Sequence, residues 1–475
     1  MTALDELIER VWDDDIVPAL CRYIEIPNVS ENFDPDWKSN GHMERAVELV
    51  RDWCAARSIS GLTVEVQRLA GRTPLIIAEV PASDPALNER TILLYGHLDK
   101  QPEMTGWREG LGPWTPVVEN GRLYGRGGAD DGYAAFASLL AIEAAEAEGL
   151  PHARCVVLIE ASEESGSPDL PAHLEALGGR LGQPELVICL DSGCLDDERL
   201  WVTTSLRGLV AGVLTVEVLT EGVHSGEASG IAPSSFRIIR RLLDRVEDAA
   251  SGRVLVDELW TDVPADRQAE AAATAAGLAH PVADDLPWAG ETEPMVDDAT
   301  EQLLARTWRP TLSYIGIDGL PPTGRAGNVL RPSTSLGLSF RLPPTCDEQA
   351  ALAAVERVLT ADPPAGATVR FEHGQAGPGW NAPSFAPWLD DALAEASTAA
   401  FGQPARTFGE GGSIPFMGML GEMFPAAQFV ITGALVPGSN AHGPNEFLDL
   451  PNARKITACI ARLLGAHATA SHGQP

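Results

Sequence analysis

The chain has 475 residues, and its 34 Lys and Arg against 67 Asp and Glu give a net charge of −33. That length predicts two lobes rather than one ~150-residue domain, and a composition 44% hydrophobic and 21% charged excludes wholesale disorder. The acidic balance repels phosphate backbones and argues against a nucleic-acid partner. The acidic opening MTALDELIERVWDDD lacks the basic region and apolar run of a signal peptide, and no long uncharged apolar stretch follows it. A soluble, cytoplasmic chain with no membrane partner is therefore expected. The seven cysteines are scattered, with no CxxC spacing, and read as buried reduced thiols.

Apolar residues Leu7, Ile8, Val11, Trp12, Ile16 and Leu20 recur at helical intervals and predict an amphipathic helix over 4–24, packed on a sheet. A second helix is expected over 43–56, then a β-rich segment over 62–80. Three strand-length apolar runs follow, each ending abruptly in polar groups. Thr91 to Tyr95 leads to His97 and Asp99, Cys155 to Ile159 to Glu163 and Glu164, and Leu186 to Leu190 to Asp191. Alternating with helices such as 133–147, these runs predict buried parallel strands covered on both faces. In such sheets ligands sit beyond the carboxyl ends of the strands.

Near Ser205 the pattern changes. Residues 208–220 alternate apolar and polar, as in a strand with one solvated face, and 234–246 reads as a helix. After an acidic, Ala-rich insertion over about 251–308, strand-like 312–317 and 335–341 lead into helical 347–360 and strand-like 368–373. That β-α-β-β-α-β order is a split βαβ arrangement. From Trp388 the first style returns: a helix, a strand over 428–432, a loop with His442, and a closing helix over 452–464. The predicted class is α/β, a mixed, largely parallel sheet with helices on both faces, plus an inserted α+β lid or dimerisation domain. The expected division is 1–204 with 386–475 for the catalytic domain, and 205–385 for the insertion.

His97, Asp130, Glu164, Asp191 and His442 together offer the imidazole and carboxylate donors that divalent zinc takes. They lie within YGHLDKQP (95–102), GRGGADDG (125–132), EASEESGS (160–167), LDSG (190–193) and AHGPNE (441–446), and the chain also carries GVHSG (222–226) and EGGSIP (410–415). In these strings and their order, across nearly the whole chain, the sequence resembles the M20 family of cocatalytic zinc peptidases and deacylases. EGGSIP and the doubled acid after Gly-Arg-Gly resemble most the carnosinase-like dipeptidases.

The resemblance implies two divalent ions per subunit, zinc first, with manganese and cobalt as alternatives. One would be held by His97 and Asp191, the other by Glu164 and His442, with Asp130 bridging. It makes Asp99 the partner that orients His97 and Glu163 the general base and acid, taking a proton from the attacking water and handing it to the leaving amine. His224 resembles the family histidine that reaches the oxyanion of the tetrahedral intermediate, often from the other subunit of a dimer. The family's Asp-Asp peptide, here 130–131, is cis. Arg341 matches the family arginine that pairs with a substrate carboxylate. Asn328 matches its substrate loop, and Gly411, Gly412 and Ser413 a backbone cradle for that carboxylate.

The implied reaction is hydrolysis of dipeptides or short peptides with a free carboxyl terminus, by a homodimer paired through the inserted domain. The alternatives are an N-acyl amino acid deacylase with the same centre, a binding module without turnover, and a thiol hydrolase using Cys189 or Cys194. Two departures from the family pattern bear on specificity. Lys100 follows His-Leu-Asp, where it is read as a cation near the metal rim, and Gly409 precedes Glu410 in place of a basic residue.

Overall fold

The computed structural model describes residues 2–470. The described residues divide into two compact units, one of residues 2–204, 382–408 and 419–470, the other of 205–381 and 409–418. Segment 409–418, which the sequence reading left in the first domain, groups with the second.

The first unit is built on a mixed sheet. The strands Arg154–Glu160, Thr91–His97, Pro184–Cys189 and Gln428–Ile431 run parallel in that spatial order. Leu75–Val80 joins antiparallel beside 154–160, with Thr63–Gln67 outside it. On the other side Trp201–Leu206 pairs antiparallel with 428–431. All seven residues of 91–97 are buried, as the unbroken apolar run requires of a central strand.

Helix Ala134–Glu148 is apolar all round, with eleven of its residues buried, and helix Leu450–Thr469 is buried along most of its length. The first helical stretch runs as Ala3–Val11, a wide turn Trp12–Ile16, and Val17–Ile24. Its opening helix packs chiefly on the 134–148 and 450–469 helices, not on the sheet as expected. Trp12 Nε1 accordingly donates to Thr457 Oγ1 at 3.2 Å. An apolar stripe specifies a buried face but not which neighbour covers it.

The second unit holds an antiparallel sheet ordered Thr311–Asp318, Ser333–Leu342, Gly208–Glu217, Thr368–Gly377. Burial alternates strictly along 208–217 and 333–342, and helices Ser235–Leu243 and Glu348–Thr360 cover the buried face. Val210, Leu214, Leu338 and Phe340 meet Ile239, Leu242 and Val355 in a separate apolar core. The insertion carries helices Ala265–Gly277 and Ala299–Thr307.

The described cysteines are all free, and six of the seven are buried. Burial pushes the thiols of Cys54, Cys155 and Cys459 up to about 12, and it raises Cys189 well above its ordinary value. A thiolate nucleophile at Cys189 is therefore disfavoured. No described helix is long and apolar enough to cross a membrane.

Candidate metal centre

The parallel strands of the first unit deliver their polar ends to one edge. His97 ends its strand, and the next amide, Leu98 N, donates to Glu160 O at 2.9 Å, which keeps the two neighbouring strand ends in register. Gly96 is needed just before it, because a Cβ there would lie 2.5 Å from Ala134 Cβ and 2.7 Å from Asp131 Oδ2. That close approach lets Asp131 accept from His97 N at 3.3 Å. Gly433, after the 428–431 strand, is equally constrained, its added Cβ falling 2.0 Å from the Ser192 carbonyl oxygen beside Asp191.

Two ligand groups form. His97, Asp130 and Asp191 converge in one, Asp130, Glu164 and His442 in the other, and Asp130 belongs to both. His97 Nε2 lies 3.3 Å from Asp130 Oδ1 and 3.7 Å from Asp191 Oδ2. His442 Nε2 lies 3.0 Å from Asp130 Oδ2 and 3.3 Å from Glu164 Oε2. Glu163 stands outside both groups, with Oε2 at 3.9 Å from His97 Nε2. The Asp130–Asp131 peptide is cis.

The tautomer of His97 tests the fit of a cation. Its Nδ1 lies 3.2 Å from the carbonyl oxygen of Asp99, which can only accept, so Nδ1 carries the proton. Nε2, buried and without a hydrogen-bond partner, faces three carboxylates, and although burial opposes it, Asp191 and Asp130 raise the imidazole well above its ordinary value. A divalent cation can take the place of that proton in such a cluster, and imidazole with carboxylate is the donor set that suits one. The acids register the same demand. Burial, with the charge of Asp191 next, raises Glu163 well above the usual carboxylate range. Burial, then Asp130, raises Glu164, and burial raises Asp191 despite His97. Asp130 alone is lowered: burial opposes this, but the His442 and His97 imidazoles beside it win.

Asp99 lies beside His97 and also reaches both glutamates. Its carboxylate is 3.4 Å from His97 Nδ1, while Oδ1 accepts from Glu163 N at 3.1 Å and Oδ2 from Glu164 N at 3.0 Å. It braces the loop bearing both glutamates, and its carbonyl does the orienting of His97.

Three supports escaped the sequence reading. Gln101 Nε2 donates to Glu164 Oε2 at 2.7 Å. Asp131 is fully buried on the far side of the cis peptide. Arg126 forms a buried ion pair with Glu446, and its Nη2 donates to the carbonyls of His442 and Gly443 at 2.9 Å each. Glu446 also accepts from Gly127 N at 2.8 Å, so one ion pair ties the glycine loop before Asp130 to the loop of His442. Arg126 and Glu446 both lie inside strings already singled out, GRGGADDG and AHGPNE, and a buried-pair reading of those two charges was the available signal.

The sequence matches Peptidase family M20/M25/M40 over residues 93–466. The chain belongs to that family. It is thus a hydrolase acting on peptide bonds. This M20 chain is 27% identical over 400 residues to Cysteinylglycine-S-conjugate dipeptidase of Corynebacterium striatum, covering 81% of the chain and 83% of the relative. It is 28% identical over 292 residues to human Beta-Ala-His dipeptidase, covering 60% of the chain and 55% of the relative. In fold it resembles the crystal structure of human carnosine dipeptidase 1, with a TM-score of 0.80 at 22% identity, over 99% of this chain and 100% of that one.

The remaining expected residues of the M20 chain lie in its second unit, in two groups. His224 is exposed, and its Nδ1 accepts from Gly226 N at 3.2 Å, which leaves the proton on Nε2 as a free donor. Asn328 sits beside it: its carbonyl accepts from Ser225 N at 3.0 Å, and Val329 pairs with His224. Elsewhere in this unit Arg341 Nη1 donates to Ser413 Oγ at 3.1 Å, and the Gly412 carbonyl accepts from Arg207 N at 3.0 Å.

Lys100 is not at a metal rim. It is fully buried, and Nζ donates to the carbonyls of Tyr23 and Ile26 at 2.8 Å each, 3.9 Å from the Tyr23 ring centroid. The ammonium adds to the backbone donors on carbonyls at and just past the end of helix 17–24, where a cation is favoured.

Proposed function

We propose that this M20 enzyme hydrolyses the peptide bond of dipeptides or short peptides with a free carboxyl terminus, at a centre of two divalent ions. The observation that carries the reading is the pair of ligand groups sharing Asp130, with the Glu163 carboxylate beside them and in neither. His97 and Asp191 would hold one ion, Glu164 and His442 the other, and Asp130 both. Zinc is the first choice for this donor set, and manganese and cobalt are accommodated by it. When bound, such ions polarise the scissile carbonyl and acidify water. Glu163, raised by burial and by Asp191, takes the proton of the attacking water and returns it to the leaving amine. Asp99 holds Glu163 at its backbone through that reaction. His224, with Nε2–H free, donates to the oxyanion, and Asn328 shares its loop. Arg341 pairs with the substrate carboxylate, beside Gly412 and Ser413. The relatives' names, dipeptidases of cysteinylglycine conjugates and of Beta-Ala-His, support dipeptides over N-acyl amino acids. The seven free thiols accord with a reducing, cytoplasmic setting.

The deciding experiment is hydrolysis of a dipeptide panel against matched N-acyl amino acids, with a chelator control. Chelator-sensitive release from dipeptides is expected. Turnover of the N-acyl set alone would transfer the same centre to a deacylase.

The same reading extends to a homodimer formed through the second unit. Strand 311–318 is an outer strand of its sheet, and Tyr314, Ile315 and Ile317 are exposed on it beside exposed Phe236. An open apolar edge of this kind pairs with its own copy across a two-fold axis. With His224 donated across that axis, mixing Glu163→Gln and His224→Ala chains restores activity to about a quarter of wild type, since half the dimers are mixed and each carries one intact site. Subunit exchange without recovery would place His224 in its own chain's site or give the oxyanion a different donor.

A further inference from the structure

The second unit gathers three arginines around one glycine loop. Arg207 is the best fixed. Its backbone N–H donates to Gly412 O at 3.0 Å, Nε to Gly411 O at 3.1 Å, and Nη1 to Thr311 Oγ1 at 3.2 Å, while its carbonyl accepts from Ser413 Oγ. Arg341 reaches the same serine. Arg306, from helix 299–307 of the insertion, runs along the loop: a Cβ on Gly411 would lie 3.3 Å from Arg306 Cγ and 3.3 Å from Arg207 Nη2. Glycine at 411 is what lets both arginines close on the loop, and a Cβ at Gly412 would point into open space.

These charges are uncompensated. Among the described residues no carboxylate forms an ion pair with Arg207, Arg306 or Arg341, and Arg207 Nη2 and Arg341 Nη2 make no hydrogen bond. Burial first, then the like charges of Arg341 and Arg306, pulls the Arg207 guanidinium down to about 9. Guanidinium groups crowd in this way where an anion completes the site. One substrate carboxylate, the partner already proposed for Arg341, answers one charge of the three.

We infer that this arginine bay selects substrates carrying a second carboxylate on the carboxyl-terminal residue, namely dipeptides ending in Asp or Glu, with Arg207 and Arg306 reading the side-chain acid. The inference rests on the peptidase reading above and on Arg341 as the anchor of the terminal carboxylate. It assigns the insertion a part in specificity, since Arg306 lies within it. Because Arg207 shares its hydrogen bonds with the loop, it also sets the position of Ser413.

The test compares Ala-Glu with its neutral isostere Ala-Gln, by steady-state kinetics of the metal-loaded enzyme and by calorimetric titration of the metal-loaded Glu163→Gln protein. Ala-Glu is expected to bind at least about tenfold more tightly than Ala-Gln, with a matching fall in KM, and the preference is expected to shrink as salt is raised. Arg306→Gln should cut the ratio several-fold, acting on KM rather than kcat. Arg207→Lys, which keeps the charge but loses the fork, should weaken both peptides and narrow the ratio. Equal affinity for the two peptides, with both still hydrolysed, overturns the inference and leaves the peptidase reading intact. A preference that survives Arg306→Gln and Arg207→Lys unchanged also overturns it, by placing the discrimination elsewhere. If neither peptide binds or is cleaved while other dipeptides of the panel are, this inference falls alone, and silence on the whole panel takes the peptidase reading with it.

Discussion

Replacing Glu163 by Gln lowers turnover by ~10²–10⁴-fold and leaves the bound metal at the wild-type stoichiometry. The amide keeps the side chain's size, so packing around the centre is preserved while the proton acceptor is lost. Metal retention follows because Glu163 belongs to neither ligand group. Its backbone N–H is already fixed by Asp99 Oδ1 at 3.1 Å, so the variant side chain starts from the same position. Rate measurements paired with elemental analysis of the same preparation give both halves of the result. Undiminished turnover would remove Glu163 from its role, and loss of an ion would make it a ligand instead.

Stripping the divalent ions abolishes hydrolysis and lowers Tm by several degrees, both restored on adding zinc, manganese or cobalt back. The physical basis is the crowd of acids at one strand edge. Asp130, Asp131, Glu163, Glu164 and Asp191 lie against two histidines, and burial raises four of the five acids. Without cations these groups repel one another or take up protons. Ions that bind the folded chain alone stabilise it by about 4 kcal/mol at a thousandfold excess over Kd. Asp130→Asn should lose both ions together, because Asp130 is the residue common to the two groups. Calorimetric scans with and without chelator decide the matter, and an unchanged Tm with unchanged activity would remove the metal from the account.

Much of this was legible in the sequence, for identifiable reasons. His97, Glu163, Glu164 and Asp191 stand where apolar runs stop, and a parallel sheet aligns such stops on one edge, so their convergence needed no side-chain geometry. The second sheet was legible from the alternation over 208–220 and the strand-like runs 312–317, 335–341 and 368–373. What the sequence hid depends on contacts between distant segments. Lys100 looks like a functional cation because it follows two functional residues. Only the position of helix 17–24 shows that its ammonium answers the Tyr23 and Ile26 carbonyls. The spacing of Asp99 to His97 pairs those two residues, but does not show that the same carboxylate also accepts from Glu163 and Glu164, in a loop more than sixty residues away. The arginine bay combines residues 207, 306, 341 and 411, and no local pattern brings them together.

The Arg126–Glu446 pair also sets when in the life of the molecule this centre can exist. Its partners are 320 residues apart in the chain, and ribosomes add roughly 5–20 residues per second. For on the order of half a minute, the loop of Asp130 is outside the ribosome while the segment bearing His442 and Glu446 has yet to be made. During that interval His97, Asp130, Glu164 and Asp191 have no loop to close over them. Loading of the ion that His442 would hold accordingly waits until that segment is made, whereas the group of His97, Asp130 and Asp191 is complete in the chain about 250 residues earlier.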